Sequence, residues 1–544
     1  MAVYRRRPRI RIVWLTVALF TVVALFGGLG FLMSEDRFPG VVLNTARLDS
    51  HIKYLSSLSL EGRAVGTEGE ISAVQYIRGV LDTIGFKTTV QTVPLQGVTL
   101  PAVNLSIGSD NLRRGQDFVI TSEAENVNIV ELKDERILYG GYCIKTDGNP
   151  EDYDSFCSTD VRGRVILCLV NDPFEGPLTY YGRWVYKVEE LRRRGAAGVL
   201  LVHTTESAGY GWNVLQSPDG GENIRLMSKD GEEGLKIRAW VAQHIAERIL
   251  KISIDRAFEE ANRGGLCMQE TDMILHVRLD ITRRELYGLN VIGQLDGSAG
   301  NNEHVILTSH HDHLGAIERN GEKVIYPGAL DNASGVGKLL ELATYFAAMK
   351  SQARCCKRKL VVITPTAEEA VLLGSSYYAD HPLLPLAQCA AVLNMDGMNV
   401  WGPTTDSVGI GSERSTLGDI LARAAREEGQ RVAPDPAPEQ GLFFRSDQLP
   451  FARKGVPAMK ITHGFSFTNH EQDIDEYLNA TVWDYNRNVY HQPVDTYEYL
   501  HEQGDPYSGA EQEFKVGARV LFDLLVRGFS PKWMPGEPFA RFRS

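Results

Sequence analysis

The side chains best suited to chemistry in this sequence are histidines and carboxylates that follow short apolar segments. They form a histidine-rich run at 310–313, an acidic pair at Glu368 and Glu369, and a further aspartate at Asp396. Two more candidates, Asp331 and His491, lie in polar stretches outside these segments. Because imidazole nitrogens and carboxylate oxygens are typical zinc ligands, these residue types point to metal chemistry.

Alternating strands and helices are expected to bring these groups together. Short apolar runs separated by helical patterns indicate β-α-β units and a mostly parallel sheet flanked by helices. The predicted strands are 289–294, 304–309, 359–364, 390–394 and 407–411, and the helices include 333–349 and 369–380. In such sheets, ligands bind beyond the carboxyl ends of the strands. The sequence therefore predicts that four groups of metal-binding side chains meet at one edge of one sheet.

The rest of the chain predicts a second domain inside the first. Segments 44–60 and 68–85 have the spacing of amphipathic helices. From residue 125 to residue 265 the pattern changes, and long loops rich in Gly, Ser, Asp and Asn become frequent. We expect residues 125–265 to be an inserted domain, so that residues 44–124 and 266–530 form one discontinuous domain around it.

The spacing within the polar groups has physical uses. In His310-x-Asp312, one imidazole can bind a metal while the carboxylate orients the ring through its other N–H. Adjacent Glu368 and Glu369 can divide the work, one as a ligand and the other transferring protons. The other two histidines of the run are expected to be bystanders. The motifs HExxH, GxSxG, the P-loop and GxGxxG are absent, so a serine hydrolase or nucleotide enzyme has little support.

Together these motifs resemble the co-catalytic dizinc peptidases of family M28, which include bacterial leucyl aminopeptidases and glutamate carboxypeptidases. The matching segments are LEGRAVGTEGE at 60–70, SHHDHLG at 309–315, GALDNASG at 328–335, TAEEAVLLG at 366–374, NMD at 394–396 and YHQPVDT at 490–496. One departure is Leu330, which stands where many members carry Asp or Asn. The resemblance covers about 44–110 and 275–525.

The resemblance implies the ligands of two zinc ions. His310 and Asp396 would hold one ion, Glu369 and His491 the other, and Asp331 would bridge them. The family also suggests a cis peptide bond after the bridging aspartate.

The resemblance also implies catalytic roles. Glu368 would be the general base, and Asp312 and Asp495 would orient His310 and His491 respectively. Tyr490, beside His491, is a candidate donor to the developing oxyanion, with simple aromatic packing as the alternative.

The inserted block resembles a protease-associated domain through VRGRVIL at 161–167 and LRRRGAAGVLLV at 191–202. Such domains often cover the mouth of an active site and limit the size of the substrate. The expected fold class is therefore α/β: a phosphorylase/hydrolase-like, mostly parallel sheet flanked by helices, with an inserted mainly-β domain and an N-terminal transmembrane helix.

The N-terminus predicts membrane attachment. Five arginines between positions 5 and 11 precede an uncharged run from Ile12 to Met33. These 22 residues would reach roughly 33 Å as a helix, enough to cross the hydrocarbon core of a bilayer. We predict a cytoplasmic flank at 1–11 and a single-pass signal anchor at 12–33, with the catalytic part periplasmic or extracellular. A cleaved signal peptide, giving a secreted protein, is the alternative.

Composition limits the remaining options. A chain of 544 residues exceeds one ordinary core, and a net charge of −12 argues against a nucleic-acid partner. Seven cysteines without a CxxC pair make a thiolate zinc site improbable. Cys143 and Cys157 are a candidate disulfide in an oxidising compartment, and the odd total leaves at least one cysteine without an intramolecular partner.

The expected function is a zinc-dependent aminopeptidase acting on peptides with a free N-terminus. Only 53 residues follow His491, whereas membrane-anchored glutamate carboxypeptidases carry a long helical domain there. The alternatives are a glutamate-carboxypeptidase-like enzyme or dipeptidase, a single-zinc glutaminyl cyclase, and a receptor or scaffold with an inactive peptidase fold. The sequence leaves the oligomeric state open, a homodimer included.

Overall fold

A computed structural model describes residues 37–146, 153–216, 222–227, 234–298, 302–319, 321–352, 355–470 and 472–543. The basic flank and anchor predicted at 1–33 lie outside these residues. Within them, no helix combines the length and the apolar character that crossing a membrane requires.

The described residues contain both strands and helices along the whole chain. The strands are β1 Lys87–Ile107, β2 Asp110–Asn111, β3 Phe118–Thr121, β4 Ile129–Tyr139, β5 Val165–Leu169, β6 Gly198–His203, β7 Asn223–Leu226, β8 Ile237–Ala242, β9 Gln269–Leu295, β10 His304–Thr308, β11 Gly315–Arg319, β12 Glu322–Tyr326, β13 Lys359–Thr364, β14 Cys389–Asn394, β15 Asp406–Ile410, β16 Arg431–Ala433 and β17 Ala458–His463. The helices are α1 Thr45–Leu55, α2 Glu68–Thr83, α3 Trp184–Arg193, α4 Thr205–Ala208, α5 Trp212–Gln216, α6 Gln243–Leu250, α7 Ile254–Asn262, α8 Gly335–Ser351, α9 Leu373–Asp380, α10 Leu417–Glu427, α11 Gln448–Ala452, α12 Ile474–Ala480, α13 Val482–Asp484, α14 Tyr497–Glu502 and α15 Ser508–Phe522.

One continuous sheet runs through the molecule in the order β16-β15-β17-β14-β10-β13-β9-β4-β5-β6-β8-β3. Strands β13, β10, β14 and β17 are parallel to one another, whereas β9 and β15 are antiparallel to their neighbours β13 and β17. The predicted mostly parallel sheet is therefore present. The strands β10, β13 and β14 are buried nearly throughout, as expected when helices cover both faces.

A long antiparallel pair of strands, β1 and β9, joins two lobes. The last five residues of β9 pair with β13 and its outer half pairs with β4, while β1 runs antiparallel along most of β9. We call the part built on β10 and β13–β17 the first lobe, and the part built on β3–β8 the second lobe.

Each lobe has its own apolar core. In the first lobe, one large cluster packs α1, α2, α8 and α15 against one face of the sheet, and a second cluster lies on the other face under α9 and α11. In the second lobe, the main cluster extends from Val98 to Ile281 and so includes the outer halves of β1 and β9. The predicted block 125–265 lies inside that range.

The second lobe is mixed α/β rather than mainly β. Strands β5, β6 and β8 are parallel, and α3 connects β5 to β6. The physical reason is burial, because β5 and β6 are apolar and covered on both faces, which requires helices on each side. Helices α6 and α7 supply part of that cover.

The disulfides differ from the predicted pairing of Cys143 with Cys157. The structure pairs Cys143 with Cys168 and Cys157 with Cys267, so both bonds lie in the second lobe. Cys143 and Cys168 are brought together because β5 lies beside the end of β4. Sequence spacing carries no information on such pairing across strands. Cys389 is a buried free thiol.

Candidate metal centre

The carboxyl ends of β10, β13 and β14 deliver the predicted side chains to one edge of the sheet. His310 lies two residues after β10, the pair Glu368–Glu369 follows β13, and Asp396 follows β14. The Glu-Glu loop is not helical, which corrects the predicted helix 369–380 to α9 from Leu373. Left-handed backbone at Ala367, Val371 and Leu372 keeps residues 367–372 out of the helix.

Asp331 lies between the two predicted histidine ligands. Its Oδ1 is 3.3 Å from His310 Nε2, and its Oδ2 is 3.2 Å from His491 Nε2. The residue precedes α8 in an irregular turn that opens at Gly328, where φ is +59° and an added Cβ would lie 2.3 Å from the Asp331 carbonyl oxygen. The peptide bond between Asp331 and Asn332 is cis. The geometry thus aims the two oxygens of one carboxylate at two separate imidazoles.

The other two carboxylates complete one group on each side of Asp331. Asp396 Oδ1 lies 3.7 Å from His310 Nε2, and Glu369 Oε2 lies 2.9 Å from His491 Nε2. The five predicted ligands therefore divide into His310–Asp396 and His491–Glu369 around a shared aspartate. Donor atoms of His310, Asp331 and Glu369 lie within 4.8 Å of one another, close enough to surround an ion.

Glu368 stands at the same opening. Its Oε2 lies 4.0 Å from His310 Nε2. Burial, followed by the neighbouring carboxylates Glu369, Asp447 and Asp396, raises the pKa of Glu368 well above its usual range, against the lowering effect of His310. This carboxyl group therefore holds a proton more readily than an ordinary glutamate does.

Asp312 and Asp495 support the ligand loops through backbone amides. The Asp312 carboxylate accepts hydrogen bonds from Glu368 N at 3.0 Å and Glu369 N at 3.3 Å. Asp312 also approaches His310, because its carbonyl oxygen lies 3.2 Å from His310 Nδ1. Asp495 accepts from Leu330 N at 2.9 Å and Asp331 N at 3.0 Å, so it contacts the Asp331 turn and not the ring of His491.

The charges of the site suit a cation. Burial would raise the pKa of Asp331, but the nearby imidazoles of His310 and His491 hold it well below its usual range. Burial would likewise lower the pKa of His491, but Glu369 and Asp331 raise it to about 10. Asp331 is thus ionised, and the imidazole of His491 carries a proton that a metal ion would displace.

The donor set also passes a geometric test for a metal. Nε2 of His491 is buried and lies near two carboxylates, yet it makes no hydrogen bond of acceptable geometry with any described residue. Such close contacts without hydrogen-bond angles are expected where lone pairs point at a common ion. Imidazole and carboxylate donors without thiolates fit zinc.

His313, predicted as a bystander, is part of the site. Its Nδ1 lies 2.7 Å from Glu369 Oε1, and its ring packs edge-on against His491. Its position three residues after His310 in a single polar run was the available signal. His311 instead points away, with Nδ1 3.0 Å from the Thr364 carbonyl oxygen.

Lys460 is a second functional candidate that the sequence did not reveal. Its Nζ lies 2.9 Å from Asp396 Oδ2, which also accepts a hydrogen bond from Ser446 at 2.7 Å. Lys460 belongs to β17, which pairs with β14 on the side away from β10. Only the sheet order makes a lysine so distant in sequence a neighbour of Asp396.

The second lobe lies beside the mouth of the site. The backbone N–H of Leu178, in the second lobe, donates a hydrogen bond to the Pro438 carbonyl oxygen of the first lobe. Glu189 of the second lobe forms an ion pair with Arg453 of the first lobe at 3.0 Å. Arg445, from the first lobe, stacks over the ring of Tyr210 at 5.4 Å.

Tyr490 connects this contact to the metal-binding residues. Its ring stacks on His491 at 3.9 Å between centroids, and its hydroxyl lies within electrostatic range of Arg183 of the second lobe. Burial raises the pKa of Tyr490 well above its usual range, so its hydroxyl keeps the proton that an oxyanion donor needs.

Comparison with known proteins identifies a family match in part of the chain. The family model described as Peptidase family M28 matches residues 290–505. Residues 290–505 are an M28 peptidase domain. All five predicted ligands and Glu368 lie inside this M28 domain, whereas the second lobe and residues 60–70 lie outside it.

A curated relative and two solved structures are similar over most of the chain. A protein named aminopeptidase from Pseudomonas aeruginosa (strain UCBPP-PA14) is 21% identical over 448 residues, covering 80% of this chain and 73% of its own. The structure named aminopeptidase from Aneurinibacillus sp. strain AM-1 aligns over 89% of this chain and 94% of its own, with 19% identity and a TM-score of 0.54. The latter similarity shows that the two share a fold. A structure named as BSAP, a zinc aminopeptidase from Bacillus subtilis, covers 88% of this chain and 95% of its own at 17% identity, with a TM-score of 0.46.

Proposed function

We propose that the chain is a zinc-dependent aminopeptidase that releases N-terminal residues from peptides. The observation that carries the proposal is Asp331, whose two oxygens lie 3.3 Å and 3.2 Å from two different histidines. A carboxylate in that position suits two zinc ions, one with His310 and Asp396 and the other with His491 and Glu369. The similar proteins are named aminopeptidases, which supports cleavage at the N-terminus of the peptide.

The residues around the site divide the remaining work. Bound zinc would lower the pKa of a water molecule and polarise the scissile carbonyl. Glu368 would take the proton from the attacking water and return it to the leaving amine. Tyr490 would donate its hydroxyl to the developing oxyanion, and Asp312 would hold the amides of the Glu-Glu loop in place.

Replacement of the base tests this assignment. A Glu368→Gln variant should retain its zinc and lose about 10²- to 10⁴-fold in turnover of an aminoacyl substrate. Glu303→Gln is a matched control, because Glu303 directly precedes β10 at the opposite edge of the sheet and pairs with Arg358. Turnover of Glu368→Gln near the wild-type rate, at full zinc content, would exclude Glu368 as the base.

A second candidate is a carboxypeptidase or dipeptidase that recognises a substrate carboxylate. Lys460 and Ser446 both donate to Asp396 Oδ2, so this oxygen is not open to a substrate ammonium group. Arg183 and Arg445 lie beside Tyr490, and neither forms an ion pair among the described residues. Three cations near the site favour an anionic group on the substrate.

A panel of peptides separates the two candidates. Substrates with free and blocked N-termini should be compared with peptides ending in an acidic residue and with their amides, each with and without a chelator. Aminopeptidase activity requires that blocking the N-terminus abolish hydrolysis. Equal rates on blocked substrates would exclude it, and a strong preference for the free acidic C-terminus would favour the carboxypeptidase. Absence of bound zinc would favour an inactive scaffold.

We also propose that the second lobe is a protease-associated domain that restricts access to the site. The contacts of Leu178 and Glu189 with the loops around Pro438 and Arg453 support this placement. An enzyme restricted in this way should hydrolyse short peptides and leave the N-terminus of a folded protein intact. Rates measured on a tetrapeptide and on a folded protein with the same N-terminal residues test the idea.

We further propose that the catalytic part lies outside the cytoplasm, held by the anchor at 12–33. The arginine flank and the apolar run support the anchor, and the two disulfides of the second lobe suit an oxidising compartment. Membrane fractionation with N-terminal sequencing distinguishes the anchored protein from a secreted one. Recovery of the chain in the cytoplasm with reduced cysteines would contradict both.

A further inference from the structure

The segment 60–70 places two buried, oppositely charged side chains beneath the metal-binding loops. We call this segment the N-terminal clip. Arg63 is 1% exposed and Glu70 is fully buried. They do not pair with each other, and most of their hydrogen bonds go to other segments of the chain. Buried charges are costly unless hydrogen bonds compensate them, so these contacts need an explanation.

Arg63 ties together the backbone around two ligands. Its Nε donates to the His311 carbonyl oxygen at 2.8 Å, next to His310. Its two terminal nitrogens donate to Pro327 at 2.6 Å and Gly328 at 3.0 Å, which open the turn of Asp331, and also to Leu55. One planar guanidinium thereby fixes the spacing between the loop after β10 and the turn before α8.

Glu70 performs the same task for the third ligand loop. Its Oε1 accepts from the hydroxyl of Thr366, which begins the Glu-Glu loop, and from Leu289 N at 3.1 Å. Its Oε2 accepts from Gly66 N at 2.6 Å. The carboxylate therefore connects the clip, β9 and the loop that carries Glu368 and Glu369.

The backbone of the clip fits too closely to be a loose connection. Gly62 has a φ of +73°, and an added Cβ there would lie 2.4 Å from the carbonyl oxygens of both Gly315 and Tyr326. Glu61 and Arg63 also have left-handed backbone, which non-glycine residues adopt at a cost. His313 N in turn approaches the Arg63 carbonyl oxygen at 3.4 Å. The surrounding loops thus hold the clip in one conformation.

We propose that the N-terminal clip is a positioning element that fixes the three ligand loops, so that Arg63 and Glu70 both strengthen zinc binding. The inference rests on the proposed zinc function. It also makes a distinctive prediction about charge. By charge alone, removing the Arg63 cation should strengthen zinc binding, whereas removing the Glu70 anion should weaken it. Positioning predicts that both substitutions weaken binding.

Zinc affinity is the first measurement. Arg63→Met and Glu70→Gln should each raise the dissociation constant for zinc about 10- to 100-fold, the range typical of groups that orient metal ligands. Arg63→Lys keeps the charge but loses the guanidinium fork, so it should weaken binding as well. Competition with a chromophoric chelator gives these constants. The visible absorption of the cobalt-loaded protein gives the ligand geometry independently, and it should change in the same variants.

Two matched controls separate positioning from general loss of structure. Arg358 is also buried, and it donates to Leu524, Phe529 and Ser530 at the far edge of the sheet, so Arg358→Met should leave zinc affinity unchanged. Glu341 is a buried carboxylate paired with Arg47, so Glu341→Gln serves the same purpose. If Arg63→Met does not fold, Thr366→Val removes one hydrogen bond of the clip with a smaller change.

The outcomes are distinct. Zinc binding by Arg63→Met as tight as that of the wild type, or tighter, would overturn the inference, as would equal losses in the Arg358→Met control. An unchanged cobalt spectrum in both clip variants would overturn it too. A wild-type protein that binds no zinc would instead remove the proposed function, and the inference with it.

Discussion

Replacing Asp312 by asparagine tests how the Glu-Glu loop is held. The Asp312 carboxylate is 1% exposed and accepts hydrogen bonds from the amides of Glu368 and Glu369 at 3.0 Å and 3.3 Å. Asparagine has nearly the same shape but only one oxygen. One of the two amides would therefore face an NH₂ group, which cannot accept its hydrogen.

The size of the effect follows from the lost bond. A hydrogen bond to a charged group contributes about 1.5–3 kcal/mol. With about 1.36 kcal/mol per tenfold change in rate, the loss corresponds to about 10- to 150-fold in kcat/KM if it falls on the placement of Glu368. The stability of the protein should fall by a comparable free energy, because the unpaired amide remains buried.

The assay measures kcat/KM of Asp312→Asn on an aminoacyl substrate over a range of zinc concentrations. The deficit should persist at saturating zinc, because Glu368 itself is displaced. Asp117→Asn is the control, since Asp117 is also buried and accepts a backbone amide, that of Arg113 at 2.8 Å, in the second lobe. Activity within threefold of the wild type at saturating zinc would refute the reasoning.

Three further predictions concern stability and reactivity. Burial would raise the pKa of Asp49, but hydrogen bonds from Tyr507 and Tyr497 hold it below its usual value. The ionised Asp49 carboxylate therefore stabilises the protein above about pH 4, and this effect is lost as the pH falls further. Asp49→Asn should therefore lower the free energy of unfolding in urea by about 1 kcal/mol at pH 7 and by progressively less as the pH falls below about 4; a loss that stays the same down to the acid limit of folding would contradict this. Burial raises the pKa of Cys389 to about 12, so iodoacetamide at pH 8 should label this thiol only in denaturant, as mass spectrometry would detect. Lys338→Met should cost about 3–5 kcal/mol because it leaves Glu513 buried and unpaired, and the added change Glu513→Leu should recover much of that loss in denaturant titrations.

The sequence was most informative where one physical rule decided the outcome. The apolar runs before His310, Glu368 and Asp396 are strands because they are short and bounded by polar residues, and their parallel order places these residues at one edge. The candidate ligand set of His310, Asp331, Glu369, Asp396 and His491 was implied by the resemblance of the motifs to a known family, and the structure brings these side chains together.

Features that depend on packing between distant segments were not predictable in this way. Lys460 reaches Asp396 only because β17 lies next to β14 in the sheet. The partner of Cys143 depends likewise on the pairing of β4 with β5. The late start of α9 depends on left-handed backbone at Val371 and Leu372, residues whose type gives no hint of it.

The antiparallel pairing of β1 with β9 has a mechanical consequence. Neither strand leaves the sheet between the lobes, and the only irregularity in their pairing falls between Thr99 and Ala102. The chain passes between the two lobes as hydrogen-bonded strands and not as an exposed linker. Limited proteolysis should therefore not release either lobe intact. The same β9 pairs with β13, the strand that leads into the Glu-Glu loop, so one strand connects the second lobe to the support of that loop.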